Sequence, residues 1–100
     1  MKRGDFMIYL MAIQKVEDFD RWKKVFEEHS TKRGSMGSKG AEILQNSAHP
    51  NEIVVITKWE DEDAAKKFAG SKDLKNVMKK AGVMGFPELR YFDEINEMKQ

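Results

Sequence analysis

Residues 6–14 read FMIYLMAIQ, and a short, apolar, aromatic-rich stretch of this kind is typical of a β-strand. A strand covered on one face only should alternate apolar and polar side chains. Here both alternating sets are apolar: one set is Phe6, Ile8, Leu10 and Ala12, and the other is Met7, Tyr9, Met11 and Ile13. The stretch therefore predicts a strand in a sheet whose two faces are both covered.

Residues 52–59 (EIVVITKW) predict another strand of the same kind, rich in β-branched side chains. One side of it carries Ile53, Val55 and Trp59, and the other carries Val54 and Ile56. Residues 41–47 predict the strand before it. The sequence His49-Pro50-Asn51-Glu52 predicts the turn between the two, because proline presets the first corner of a turn and asparagine tolerates the second. The two strands should therefore form a hairpin.

Two helical regions separate the predicted strands. The first extends from Asp18, a favourable N-cap, to Arg33, and a glycine follows that can end it. The second opens with the acidic run 60–63, which the helix dipole favours at an N-terminus. A break near Gly70-Ser71 divides this second region, and Gly82 ends it.

With a last strand at 88–95 (ELRYFDEI), the element order is β-α-β-β-α-β. Right-handed crossovers turn this order into a ferredoxin-like α+β fold, with a four-stranded antiparallel sheet and helices on one face. A chain of 100 residues fits a single domain, here 1–100 with a core of about 6–95. No element remains to cover the second face, so we expect a second copy to cover it in a two-fold homodimer.

Composition excludes several classes of protein. The 18 basic and 17 acidic residues leave a net charge of only +1, which argues against a nucleic-acid-binding protein. The longest apolar run, 6–13, is far shorter than the roughly 20 residues of a membrane span. The absence of cysteine excludes disulfides, thiolate metal sites and a cysteine nucleophile. It is compatible with a reducing compartment, and we expect a cytoplasmic protein.

His29 and Arg33 are the candidate catalytic residues. They fall in the helical stripe of Trp22 and Phe26 and not on the charged face of the first helix. Burying such groups is costly unless they have a partner or face a cavity. One interpretation is a cleft between this helix and the sheet, where His29 acts as acid or base and Arg33 attracts an anionic oxygen. The alternative is that both residues cap the helix C-terminus.

An aromatic ligand pocket is the second candidate feature. Tyrosine and tryptophan side chains combine an apolar surface with a polar atom that can bind a ligand. The candidates are Tyr9, Trp22, Phe26, Trp59 and Tyr91. Packing in the core is the alternative role for each of them. The two histidines are far apart in the sequence and no cysteine is present, so we expect no metal site.

Several motifs give the chain a family resemblance. They are the Trp22-x-x-x-Phe26-x-x-His29-x-x-x-Arg33 helix, the His49-Pro50-Asn51-Glu52 turn, Trp59 followed by an acidic cluster, Phe68-Ala69-Gly70-Ser71, and Ala81-Gly82-Val83-x-Gly85-x-Pro87. Over about residues 6–95 the chain resembles the antibiotic-biosynthesis-monooxygenase-type branch of the dimeric α+β barrel superfamily. The resemblance implies a dimeric barrel. It also implies an activity among cofactor-free oxygenases, haem-degrading monooxygenases and lactone isomerases.

One departure from this family narrows the choice of activity. In haem-degrading relatives, a histidine binds the haem iron. It lies on the helix that follows the tryptophan corresponding to Trp59. The matching stretch here is Lys66-Lys67-Phe68-Ala69, and no histidine follows Asn51. We therefore expect no haem, and the resemblance to cofactor-free oxygenases implies that no other cofactor is needed. The resemblance favours a cofactor-independent monooxygenase or isomerase-like enzyme acting on a small aromatic or quinone-like molecule, and the alternative is a non-catalytic ligand-binding or stress-response barrel.

Overall fold

The computed structural model describes residues 7–99 and has the predicted order of elements. The elements are β1 (Ile8–Val16), α1 (Phe19–Glu28), α2 (Ser30–Ser35), β2 (Ser38–Gln45), β3 (Glu52–Trp59), α3 (Glu62–Ala69), α4 (Lys72–Ala81) and β4 (Val83–Asp93). The strands form one antiparallel sheet in the order β2-β3-β1-β4. This confirms the predicted ferredoxin-like α+β fold. None of the described helices is long and apolar enough to cross a membrane.

The strand boundaries differ from the prediction where glycines are concerned. β3 matches at both ends. β2 and β4 begin several residues before the predicted starts, at Ser38 and Val83, and end two residues before the predicted ends, at Gln45 and Asp93. The glycines there take positive φ angles, 157° at Gly40 and 69° at Gly85, and the ladder continues past each with a shift of register. Glycine tolerates this conformation, so these positions bend the strands and do not end them. β1 extends to Val16, and predicted Phe6 lies outside the described residues.

The first predicted helix is divided in two. α1 ends at Glu28, and His29, with φ −87° and ψ 0°, joins it to α2. Ser30 and Thr31 follow immediately, and such residues favour helix ends over helix interiors. The predicted single helix from Asp18 to Arg33 is therefore wrong in its continuity, although Asp18 caps α1 as predicted by accepting a hydrogen bond from Asp20 N at 3.3 Å.

The other helical boundaries are confirmed. α3 ends before Gly70, and Ser71 caps α4 by accepting a hydrogen bond from Leu74 N at 3.1 Å. Gly82 ends α4 with φ 79°, a left-handed conformation that favours glycine. The chain then enters β4 directly.

The helices cover one face of the sheet. On this face lie the buried side chains of the two central strands, including Leu10 and Val16 of β1 and Ile53 and Trp59 of β3. The opposite face, here called the open face, carries the other alternating set. Its apolar side chains are Tyr9, Met11, Ile13, Leu44, Val54, Ile56, Met84 and Phe92. The two alternating sets predicted for residues 52–59 lie on opposite faces, with Val55 under the helices and Ile56 on the open face.

Trp59 is the largest fully buried side chain and anchors the core next to α3. Its indole Nε1 donates a hydrogen bond to Thr57 Oγ1 at 2.8 Å, and the Thr57 hydroxyl donates to the Leu10 carbonyl at 3.4 Å. Thr57 is 3% exposed. The hydroxyl therefore links a buried indole to the backbone of the neighbouring strand, and both buried polar groups are satisfied.

Replacing Thr57 with Val keeps the shape of the side chain and removes the acceptor for the Trp59 indole. The indole N–H would then be buried without a partner, so the free energy of unfolding should fall by ~1–3 kcal/mol. Thr57→Ser keeps the hydroxyl and should cost only about 0.8 kcal/mol for the lost methyl group. Chemical denaturation of both variants checks this, and equal stability of the two would contradict it.

Candidate functional site

A cleft of about 90 Å³ lies between the helices and the covered face of the sheet. Its walls come from β1, β3 and β4 below and from all four helices above, and most of its lining is apolar. The polar side chains that line it are Gln14, His29, Arg33 and Thr57. A water molecule needs roughly 10–15 Å³ of such space, so the cleft has room for several waters or a small organic molecule.

Arg33 brings a buried positive charge to this cleft. Its side chain is 6% exposed, and its guanidinium carbon lies 3.6 Å from the centre of the Phe26 ring. Burial lowers the pKa of Arg33, and no carboxylate among the described residues offsets that effect. Arginine stays protonated in proteins, so the charge persists, and no carboxylate of residues 7–99 pairs with it. Such a site favours a ligand that carries or develops negative charge.

His29 lies at the junction of α1 and α2, and its side chain is 10% exposed. Its Nε2 lies 2.7 Å from Asp73 Oδ2 in the first turn of α4. The imidazole ring also packs against Phe68, with 6.2 Å between the ring centres. The ring is therefore held between two helices at the wall of the cleft.

The capping role considered for these two residues applies to Arg33 only. Its Nη1 donates a hydrogen bond to the Phe26 carbonyl, in the last turn of α1, at 2.8 Å. Arg33 therefore stabilises the helix end and lines the cleft at once. The His29 side chain makes no capping hydrogen bond at the start of α2 and reaches Asp73.

Of the five predicted aromatic residues, Trp22 and Phe26 line the cleft. Their rings stack at 5.1 Å with 17° between their planes. Trp59 lies deeper, packed against Phe68 at 5.2 Å, and does not line the cleft. Tyr91 packs on the cluster around Trp59 and likewise stays outside the lining.

Tyr9 lies on the open face, away from the cleft. Its hydroxyl donates a hydrogen bond to Glu94 Oε2 at 3.3 Å. Partial burial, with the charge of Glu94, raises the pKa of Tyr9. The prediction grouped Tyr9 with Trp59 and Tyr91 because the sequence does not show the depth or the face of an aromatic ring.

Gln14 and Thr57 are cleft residues that sequence reasoning missed. Each is a lone polar side chain on the covered side of an otherwise apolar strand, Gln14 in β1 and Thr57 in β3, and both are buried. A lone polar residue of this kind is the sequence feature that could have identified the two residues. His49 lies exposed in the hairpin turn. Within residues 7–99, no group of three or more histidine, aspartate or glutamate side chains is placed to hold a metal ion.

Comparisons with known proteins agree with this fold. The family model described as antibiotic biosynthesis monooxygenase matches residues 13–80. A candidate antibiotic biosynthesis monooxygenase from Bordetella bronchiseptica superimposes with a TM-score of 0.78 at 16% sequence identity, covering 90% of this chain and 98% of that one. A second such candidate, from Caulobacter crescentus, superimposes with a TM-score of 0.72 at 21% sequence identity. This match covers 90% of this chain and 91% of that one.

The chain is also similar in structure to SnoaB, a cofactor-independent oxygenase from Streptomyces nogalater. The TM-score is 0.66 at 12% identity, with 96% of this chain and 97% of that chain covered. No curated protein matches the sequence. At identities this low, the structural likeness establishes a shared fold.

The Arg33 charge, which no carboxylate in the described part of the chain offsets, predicts that the cleft prefers anions. Benzoate should bind more tightly than benzamide, which has nearly the same shape and no charge. In Arg33→Met the Kd for benzoate should rise about tenfold or more, because a hydrogen bond to a charged group contributes roughly 1.5–3 kcal/mol. The Kd for benzamide should change little.

Titration followed by NMR chemical shifts measures both affinities. The control is Lys24→Met, which removes an exposed positive charge from α1 and should leave benzoate binding unchanged. Equal weakening of benzoate and benzamide binding by Arg33→Met would contradict the prediction.

Proposed function

Since the chain belongs to the antibiotic biosynthesis monooxygenase family, we propose that it is a cofactor-independent monooxygenase acting on a small aromatic or quinone-like molecule in the cleft. One observation carries the proposal. His29 and Arg33 line the same apolar cleft, and no carboxylate of residues 7–99 neutralises the Arg33 charge, so a proton acceptor and an anion-binding group lie at one site. The stacked Trp22 and Phe26 supply aromatic surface beside them.

The proposed reaction begins with the transfer of an acidic proton from the ligand to His29. The anion that results is held by the Arg33 guanidinium, whose charge acts strongly among the apolar side chains of the cleft. An electron-rich anion of this kind can react with dioxygen directly. A methylene between aromatic rings then becomes a carbonyl, one oxygen atom enters the product and the other leaves as water. The substrate supplies all the electrons, so no reductant or cofactor is required.

A non-catalytic ligand-binding protein is the second candidate function. It is favoured by the fact that His29 and Arg33 both have protein partners, Asp73 and the Phe26 carbonyl. Those contacts give each residue a structural role without any reaction. An isomerase would use the same proton acceptor but would return the proton to the ligand and consume no oxygen.

Anthrone, whose methylene lies between two aromatic rings, is a probe for the oxygenase reaction. The protein should accelerate oxygen uptake and anthraquinone formation, and His29→Gln should lower kcat by about 10²–10⁴-fold, the contribution usual for an acid–base group. His49→Gln is the control, because His49 is exposed in the hairpin turn. Binding of anthrone without oxygen uptake would support the non-catalytic alternative. Uptake unaffected by His29→Gln would reject the role of His29.

We also propose that two copies pack through their open faces in a cytoplasmic homodimer. Leu44, Met84 and Phe92 are 47%, 55% and 45% exposed on this face, and Ile56 lies among them. Apolar patches of more than a few hundred Å² are rare on monomers. The absence of cysteine is compatible with a reducing compartment.

Placing a charge on the open face should separate the copies. Ile56→Asp should convert a dimer into a folded monomer near 11.6 kDa in sedimentation velocity, because a carboxylate cannot be buried unpaired in an apolar interface. Ser47→Asp adds the same charge in the exposed hairpin turn and should leave the dimer intact. Val55→Asp should prevent folding, since Val55 is packed under the helices. A wild-type protein that sediments as a monomer at micromolar concentration would refute the proposed dimer.

A further inference from the structure

We propose that Asp73 is the positioning residue for His29, holding the imidazole in one orientation and one tautomer at the wall of the cleft. The role of His29 in a reaction rests on the proposed function, but the pairing of His29 with Asp73 does not depend on any reaction. His29 Nε2 and Asp73 Oδ2 lie 2.7 Å apart, within the range of charge-assisted hydrogen bonds. The two residues are 44 positions apart in the sequence, so only the packing of the helices brings them together.

The two side chains of this pair differ in their exposure to solvent. The His29 side chain is 10% exposed, whereas that of Asp73 is 48% exposed. The imidazole therefore lies inside, among the residues that line the cleft, and the carboxylate lies at the surface. Phe68 packs against the ring from α3. With Phe68 against the ring and Asp73 bound to its Nε2, rotation of the imidazole is restricted.

Asp73 is not required to cap its own helix. The N-cap of α4 is Ser71, whose hydroxyl accepts the hydrogen bond from Leu74 N at 3.1 Å. The carboxylate of Asp73 still favours the helix N-terminus through the dipole, an effect that is small at an exposed site. Its hydrogen-bonding capacity is directed to His29.

The carboxylate also selects the tautomer of His29. An ionised carboxylate only accepts hydrogen bonds, so the neutral imidazole must carry its hydrogen on Nε2 to donate to Asp73. Nδ1 then keeps its lone pair and is the ring nitrogen that can take a proton. In the proposed reaction the proton passes from the ligand to Nδ1. The ligand becomes an anion near Arg33, and the imidazolium that forms is paired with Asp73.

The chain offers a matched control for Asp73. Asp63 is the second residue of α3, as Asp73 is the second residue of α4, and both are exposed. α3 is likewise capped by another residue, Asp61, which accepts a hydrogen bond from Asp63 N at 2.7 Å. Asp63→Asn therefore reproduces the loss of a first-turn charge without touching a histidine.

The test is NMR of the imidazole nitrogens in ¹⁵N-labelled protein. The chain has only two histidines, so His49→Gln leaves the signals of His29 alone. In the wild-type protein, the neutral imidazole of His29 should occupy the Nε2–H tautomer, with an Nε2 proton protected from exchange. In Asp73→Asn that proton should exchange about tenfold faster or more, because a charge-assisted hydrogen bond is lost. Asp63→Asn should leave it unchanged.

Asp73→Glu keeps the carboxylate and should retain most of the protection, and thermal unfolding establishes that each variant is folded. Unchanged exchange and tautomer in Asp73→Asn, or an equal change in Asp63→Asn, would overturn the inference whatever the activity. Oxygen uptake with anthrone is measured in parallel, where Asp73→Asn should lower kcat with little change in KM. If the NMR changes occur as expected but no variant consumes oxygen, the positioning role stands and the proposed oxygenase function fails.

Discussion

The antiparallel pairing of β1 with β3 is the constraint on which the rest of the structure depends. Its register places Leu10 opposite Thr57 and Ala12 opposite Val55, so that one alternating set meets the helices and the other forms the open face. A slip of one residue would move every side chain to the other face. It would bring Ile56 under the helices and expose Trp59, which is now fully buried. The floor of the cleft and the open face are therefore consequences of one register.

The same side chains stabilise the fold and line the cleft. Thr57 satisfies the indole of Trp59 and lines the cleft, and Arg33 satisfies the Phe26 carbonyl and lines it as well. Arg33 is nevertheless the costliest of these groups, since it is a buried charge with no carboxylate of the described chain to offset it. A purely structural helix cap does not require such a charge. The buried charge of Arg33 therefore favours a ligand-binding role for the cleft.

Much of the fold was predictable because it depends on local chemistry. Alternation of apolar residues located the strands, and β3 was predicted at both ends. The cap at Asp18, the break near Gly70-Ser71 and the helix end at Gly82 follow from the chemistry of a few neighbouring residues. The errors at β2 and β4 arose because glycine can either end a strand or bend it, and the choice depends on whether a neighbouring strand continues to supply hydrogen bonds.

Sequence alone determined that Trp22 and Phe26 share one side of α1, because a period of 3.6 residues places them there. The junction of α1 and α2 at His29 keeps His29 and Arg33 on the same side. Tertiary structure decided that this side meets a cleft and that Trp59 lies too deep and Tyr9 on the wrong face to reach it. It also brought Asp73 of α4 to His29. No local rule could show that contact, because it is created by the packing of two helices whose residues are far apart in the chain.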